Sequence, residues 1–289
     1  MRYKGLIKLL MGNGSAQLIS LLFLPILTRY ISPESFGAYA LYLASSFLFS
    51  AVVTLKYDYL ITLKRNDEER SAVYFTALKF ITVLSVISSI IFLAIGFNGF
   101  FLVGGFLLSV FNLNNGYFYS LKSYGTVSCL RVLYSFLNVA LPLIFLSFSG
   151  YELIVANITS LSITLLFSFY FLNKKVSLLK GIDTQLLLLD KKFIRYTYIE
   201  SLFQVASSQY VVIAMSTLME KAILGFYSVA NKVLLAPITL FSTAFTSFLA
   251  SNLTDDKNNQ KVLINGVLNL ITPISIIIIF PLYFYIDRL

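Results

Sequence analysis

Long apolar runs follow one another along almost the whole chain, at about 6–28, 37–63, 73–96, 98–121, 126–148, 151–172, 194–217, 222–250 and 262–286. A helix needs about 20 apolar residues to cross a bilayer, and each run is long enough. The runs are continuous and lack period-two alternation, which favours α-helices over a membrane β-barrel as the spanning elements. The composition agrees, with 58% hydrophobic and 12% charged residues, where a soluble domain is about a quarter charged. The expected fold is an all-α polytopic membrane protein with nine transmembrane helices.

The net charge of +9 raises nucleic acid as a partner, but the Lys and Arg fall mostly in short loops between apolar runs, which sets that partner aside. One Cys and no His exclude a disulfide framework, a Cys/His metal site and His-based acid–base catalysis. No metal and no cofactor are expected. Cys129, at the head of an apolar run, reads as a buried small residue. Residues 1–28 begin like a signal peptide, with Arg2 and Lys4 before an apolar run. No A-x-A-like site follows, so this segment reads as a retained first helix.

The basic residues set the orientation. One side carries Arg2, Lys4, Lys8, Lys64, Arg65, Arg70, Lys122, the lysines of 173–193, and Lys257 and Lys261; the other carries Arg29, Lys221 and Arg288. The first side is expected to be cytoplasmic, with the N-terminus inside and the C-terminus outside.

A repeat lies inside the chain. Phe36-Gly37-Ala38-Tyr39 opens the second run, and Leu224-Gly225-Phe226-Tyr227 opens the eighth, 188 residues later. Each follows a run with a polar stripe: Asn13, Gln17 and Ser20 in the first run, and Tyr196, Glu200, Gln204, Ser207 and Ser208 in the seventh. Six spans separate the copies, so they share an orientation, as in parallel-repeat transporters. The expected organisation is a six-helix lobe over 1–172, a cytoplasmic inter-lobe loop over 173–193, and the first three helices of a repeated lobe over 194–289. The chain ends about half-way through the second copy, so the expectation is a truncated or shortened relative of a two-lobe protein.

Several residues then match one family. Gly12, Gly14, Gln17, Pro25, Leu27-Thr28-Arg29, Pro33, Phe36-Gly37 and Tyr39 form its opening pattern. Leu55-Lys56-Tyr57-Asp58-Tyr59-Leu60-Ile61 resembles its basic–aromatic–acidic exit from the second helix. Gly225 to Val233, with Pro237, resembles its eighth helix. The chain thus resembles the Wzx-type lipid-linked oligosaccharide (O-antigen) flippases, the polysaccharide-biosynthesis branch of a superfamily that also holds multidrug exporters. The resemblance implies two lobes around a central cavity. It implies passage of an undecaprenyl-diphosphate-linked oligosaccharide across the bacterial cytoplasmic (inner) membrane by alternating access, for O-antigen or capsular polysaccharide. Membrane lipids, a polysaccharide polymerase and a chain-length regulator are the partners it implies. The competing readings are a drug or cation exporter of the same superfamily, an inactive truncated flippase, and a membrane-embedded glycan polymerase. The short outer loops speak against the polymerase, and no enzyme activity is expected.

A flippase makes no bonds. It shelters a diphosphate and polar sugars from hydrocarbon, so cations, hydroxyls and amides are the groups to seek. Lys232 lies about 15 Å into its run at 1.5 Å per residue, near the midplane, on a face with Ser228, Asn231, Thr239, Ser242, Thr243 and Thr246. Lys56, Arg131 and Arg29 are further candidate cations for substrate, with Asn231 and Gln17 as polar partners. Two carboxylates lie well within the runs, Glu200 and Asp58, and these are candidates for coupling to a proton or cation. Residues two apart on a helix face apart, so Asp58 is not expected to pair with Lys56. Ser109, Asn112, Asn115, Gly116 and Tyr119 share one face, better suited to helix–helix hydrogen bonds than to sugar. Reporter fusions after Leu179 are predicted to read cytoplasmic and fusions after Gly150 external; the reverse pattern would overturn the orientation.

Overall fold

The computed structural model describes residues 4–64, 66–94, 99–148, 150–173 and 191–252. These are helical almost throughout: α1 (Lys4–Leu22), α2 (Leu24–Tyr30), α3 (Pro33–Thr54), α4 (Tyr57–Leu63), α5 (Asp67–Ala94), α6 (Phe100–Ser120), α7 (Tyr124–Ile144), α8 (Glu152–Asn173), α9 (Lys191–Leu218) and α10 (Lys221–Asn252). The run at 262–286 and most of the 173–193 segment lie outside the described residues.

Two runs that read as single helices are broken. The first bends at Phe23, where Pro25 occupies the opening turn of α2, the one place in a helix where a missing N–H removes no hydrogen bond. The second breaks at Leu55 and Lys56, both left-handed with φ of 48° and 60°. This region costs a non-glycine residue about 1–2 kcal/mol, and no Gly or Pro marks it in the sequence. Between these breaks α3 starts cleanly. The Ser32 hydroxyl accepts from the Ser35 N–H at 3.3 Å, Pro33 fills the first turn, and Glu34 sits at the positive end of the helix dipole.

Small residues let the helices close on one another. Along the α1–α7 seam, the aromatic ring of Tyr124 covers Gly5 and Ser128 covers Gly12, in each case too closely for a Cβ. Ser128 Oγ donates to the Lys8 carbonyl at 2.9 Å. Cys129, one residue on and about 100° round the helix, is exposed rather than buried. The main core gathers Leu9, Val53, Ile61, Leu113, Phe118, Val127 and Leu130. α6 runs through it, with residues 113–120 all buried. That position explains why α6 can carry several Ser and Asn residues: its polar groups meet other helices, not lipid.

Several buried polar groups are satisfied inside the bundle. Asn157 on α8 is the hub of one network. Its amide nitrogen shares two hydrogens among Tyr134 Oη at 2.8 Å, Asn138 Oδ1 at 3.1 Å and Tyr39 Oη at 3.2 Å, and its Oδ1 accepts from Tyr42 Oη at 3.1 Å. A second chain runs from Tyr74 Oη to Asn114 Oδ1 at 2.8 Å and from Asn114 Nδ2 to Ser168 Oγ at 3.0 Å.

The tightest long-range crossing joins α3 to α10. A Cβ on Gly37 would run into the carbonyl oxygen of Lys221, and a Cβ on Gly225 into that of Pro33. The two contacts are reciprocal, since both pairs of positions differ by the 188 residues of the repeat. Both helices enter the crossing at their N-terminal ends and run in the same direction.

Gly37→Ala and Gly225→Ala are each predicted to destabilise the fold by about 1–3 kcal/mol through overpacking against rigid backbone. Gly125→Ala, where nothing lies within 4 Å of the added Cβ, should be neutral. Thermal unfolding in detergent would check the contrast, and equal effects at Gly37 and Gly125 would overturn it.

Candidate functional site

The break at Leu55 and Lys56 shapes the site. On a continuous helix Lys56 and Asp58 would point apart. Here Lys56 sits in the left-handed turn and Asp58 in the first turn of α4, and both reach one small cavity. Lys56, Asp58, Tyr59 and Thr62 form one wall, Asn112, Asn115, Gly116 and Tyr119 of α6 a second, Arg131 of α7 a third, and Thr246 of α10 closes it. Its volume is about 210 Å³, room for about seven waters at 30 Å³ each. Gly116 brings α6 in close, because a Cβ there would meet the backbone carbonyl of Asp58.

Arg131 is held from two directions. Its guanidinium donates to Asn13 Oδ1 on α1 and stands 5.8 Å from the centre of the Tyr119 ring, within cation–π range. Asn13 itself is buried, so the polar stripe of the first run begins as a packed seam.

Three oxygens here are buried without a hydrogen-bond partner among the described residues: Asp58 Oδ1, Asn115 Oδ1 and Tyr119 Oη. An unmatched buried polar group costs about 1–3 kcal/mol. Three around one cavity define a space built for water or a polar ligand. Lys56 and Arg131 outweigh Asp58, so the cavity is net cationic and lined by groups that can both donate and accept.

The structure thus brings together Lys56, Asp58 and Arg131 from the candidates of the sequence. It places the others elsewhere. Gln17 is half-buried on α1, and Arg29 is exposed at the end of α2. Asn231 and Lys232 are half-buried on α10 and line neither this cavity nor the larger one along α3. Glu200 is exposed on α9. The polar face of α6 divides by depth: Ser109 bonds across to Ser50 Oγ on α3 at 3.0 Å and back to the Gly105 carbonyl of its own helix at 2.7 Å, while Asn112, Asn115, Gly116 and Tyr119 line the cavity. Sequence reasoning missed Tyr59, Thr62 and the Asn157 network. An Asn in the middle of an apolar run was the available sign of that network.

The described residues form a bundle of broken and unbroken apolar helices with a small polar cavity among α4, α6, α7 and α10. The chain is similar in structure to a MOP-superfamily transporter from Pyrococcus furiosus, with 18% identity, a TM-score of 0.70, and coverage of 96% of this chain and 72% of that one. It is similar to an outward-facing multidrug resistance MATE family transporter of the same superfamily, at 19% identity and TM-score 0.68 over 99% of this chain and 74% of that one. A MATE structure in a straight conformation gives 18% identity and a TM-score of 0.69 over 93% and 69%. No curated protein sequence matches the chain. Residues 26–287 match the polysaccharide biosynthesis protein family, and the chain belongs to that family.

Tyr119→Phe removes an unpaired hydroxyl and is predicted to change stability by less than about 0.5 kcal/mol. Tyr134→Phe strips a partner from Asn157 and should cost about 1 kcal/mol. Paired melting curves would check this, and a larger loss for Tyr119→Phe would show that its hydroxyl has a structural partner after all.

Proposed function

We propose that the protein moves a lipid-linked oligosaccharide, carried on undecaprenyl diphosphate, across the bacterial cytoplasmic membrane, for O-antigen or capsular polysaccharide. The observation that carries this reading is the convergence of Lys56 and Arg131 with the amides and hydroxyls of Asn112, Asn115, Tyr119 and Thr246 on one cavity. A diphosphate needs cations and hydrogen-bond donors in a space that excludes lipid. Lys56 offers a point charge, Arg131 a planar fork, and the amides and hydroxyls of Asn112, Asn115, Tyr119 and Thr246 offer further bonds. At about 210 Å³ the cavity fits the diphosphate and leaves the glycan to a wider path.

The lobes are proposed as 1–172 and 194–289, joined by 173–193, with the basic face cytoplasmic. Thr246 then comes from the second lobe and the other cavity residues from the first, so that the diphosphate is gripped between them. Asp58 is the proposed coupling group. A proton or cation on its carboxylate removes a negative charge beside the phosphates and so raises their affinity. Lys232, Asn231, Gln17 and Arg29 are proposed to serve the substrate farther along its path, and Glu200 to serve ion coupling on the second lobe. A polysaccharide polymerase and a chain-length regulator are the proposed partners on the product side.

Lys56→Ala and Arg131→Ala are each predicted to lower surface glycan about 10- to 100-fold, the loss of one or more charged hydrogen bonds, with unchanged protein in the membrane. Lys232→Ala should reduce export too, and Lys232→Arg least. Immunoblots of surface polysaccharide and of membrane fractions would measure both quantities. Normal export in the Lys56 and Arg131 variants would overturn the reading.

A further inference from the structure

A second, larger cavity of about 1180 Å³ runs beside α3. Its wall on that helix extends from Glu34 to Val52, about 27 Å at 1.5 Å per residue, close to the thickness of a bilayer's hydrocarbon core. The lining is graded. At the face opposite the small cavity it holds Ser32, Glu34, Tyr151, Glu152 and Lys221; deeper in, it is mostly apolar, with Leu41, Leu48, Phe49, Val52, Phe92 and Phe101 and with Tyr42, Ser45 and Ser88 among them. A polar mouth over a mostly apolar shaft along α3 is the pattern of an amphiphile, with head at the mouth and chain in the shaft.

The mouth also selects the head. Glu34 and Glu152 supply two carboxylates against the single cation Lys221, which disfavours an anionic head such as a diphosphate. Glu152 is 5% exposed, and its Oε2 has no hydrogen-bond partner among the described residues. A buried carboxylate oxygen in that position calls for an N–H or O–H donor. A primary ammonium meets that need, and a phosphate beside it can reach Lys221. A quaternary ammonium has the charge but no hydrogen to donate.

We infer that this cavity binds a phospholipid with a primary ammonium head group, of the phosphatidylethanolamine class, with its ammonium on Glu152 and Glu34 and an acyl chain along α3. The site touches Lys221, whose carbonyl faces Gly37 at the α3–α10 crossing, so the lipid lies against the contact between the two repeat copies. The inference is independent of the cargo.

The full chain would be purified in nanodiscs holding equal fractions of phosphatidylethanolamine, phosphatidylcholine and phosphatidylglycerol with matched acyl chains, then released for native mass spectrometry. Phosphatidylethanolamine should be retained about tenfold over each of the other two, the ratio set by one charge-assisted hydrogen bond. Glu152→Gln keeps the shape of the side chain and should abolish the preference, and Glu34→Gln should weaken it. Ala38→Leu, which narrows the shaft, should lower retention of every lipid. Retention of phosphatidylglycerol or phosphatidylcholine equal to that of phosphatidylethanolamine would overturn the inference. An undiminished preference in folded Glu152→Gln would do the same.

Discussion

The close approach of α3 and α10 at Gly37 and Gly225 is the constraint on which the rest of the structure depends. Backbone meets backbone there because neither glycine carries a Cβ. With the N-terminal ends of the two helices fixed together and the helices running in the same direction, their far ends also stay within reach. That is how Thr246 comes to face Lys56 and Asp58. The α1–α7 seam uses the same device of small residues, with Gly5 and Gly12 set under Tyr124 and Ser128. In a bilayer, where burial of apolar surface does not drive helices together, such close packing and a few interhelical hydrogen bonds hold the bundle.

Polar side chains in the bundle have two fates, and the difference locates the site. Asn157, Asn114 and Ser109 have their hydrogen bonds met by neighbouring helices, so they specify packing. Asp58, Asn115 and Tyr119 keep buried oxygens without a partner among the described residues, around a space. Residues 114 and 115 adjoin in the chain and have opposite roles, because one step along a helix turns a side chain by about 100°.

The helices of the described residues and the opening of α3 were legible in the sequence. Length and apolarity gave the spans, Ser32-Pro33 gave the start of α3, and the spaced Gly-x-Tyr motifs marked the two glycines that meet. The break at Leu55 and Lys56 was not legible, since no residue there favours a left-handed backbone and only the surrounding packing imposes it. The convergence of Lys56 with Asp58 was hidden for the same reason: a helical projection sends them apart. Depth in an apolar run singled out Lys232, yet depth alone does not say which neighbours a side chain meets. Arg131, nearer a membrane surface, has two partners from other helices. Tyr119 and Asn115 were legible as a shared face, but whether that face met helix or cavity depended on where α4 ends up.

The reciprocity of the α3–α10 contact carries a consequence for how such a chain can change over generations. In a duplicated protein the two halves are free to diverge wherever each meets only its own surroundings. At this crossing each copy is the other's surroundings: Pro33 faces Gly225, and Lys221 faces Gly37. A mutation that adds bulk to either glycine meets an unaltered partner backbone and finds no side chain there that could be trimmed in compensation. The two motifs are therefore held to the same small residue by one piece of geometry, while the segments around them drift. The matching motifs stand where α3 and α10 touch.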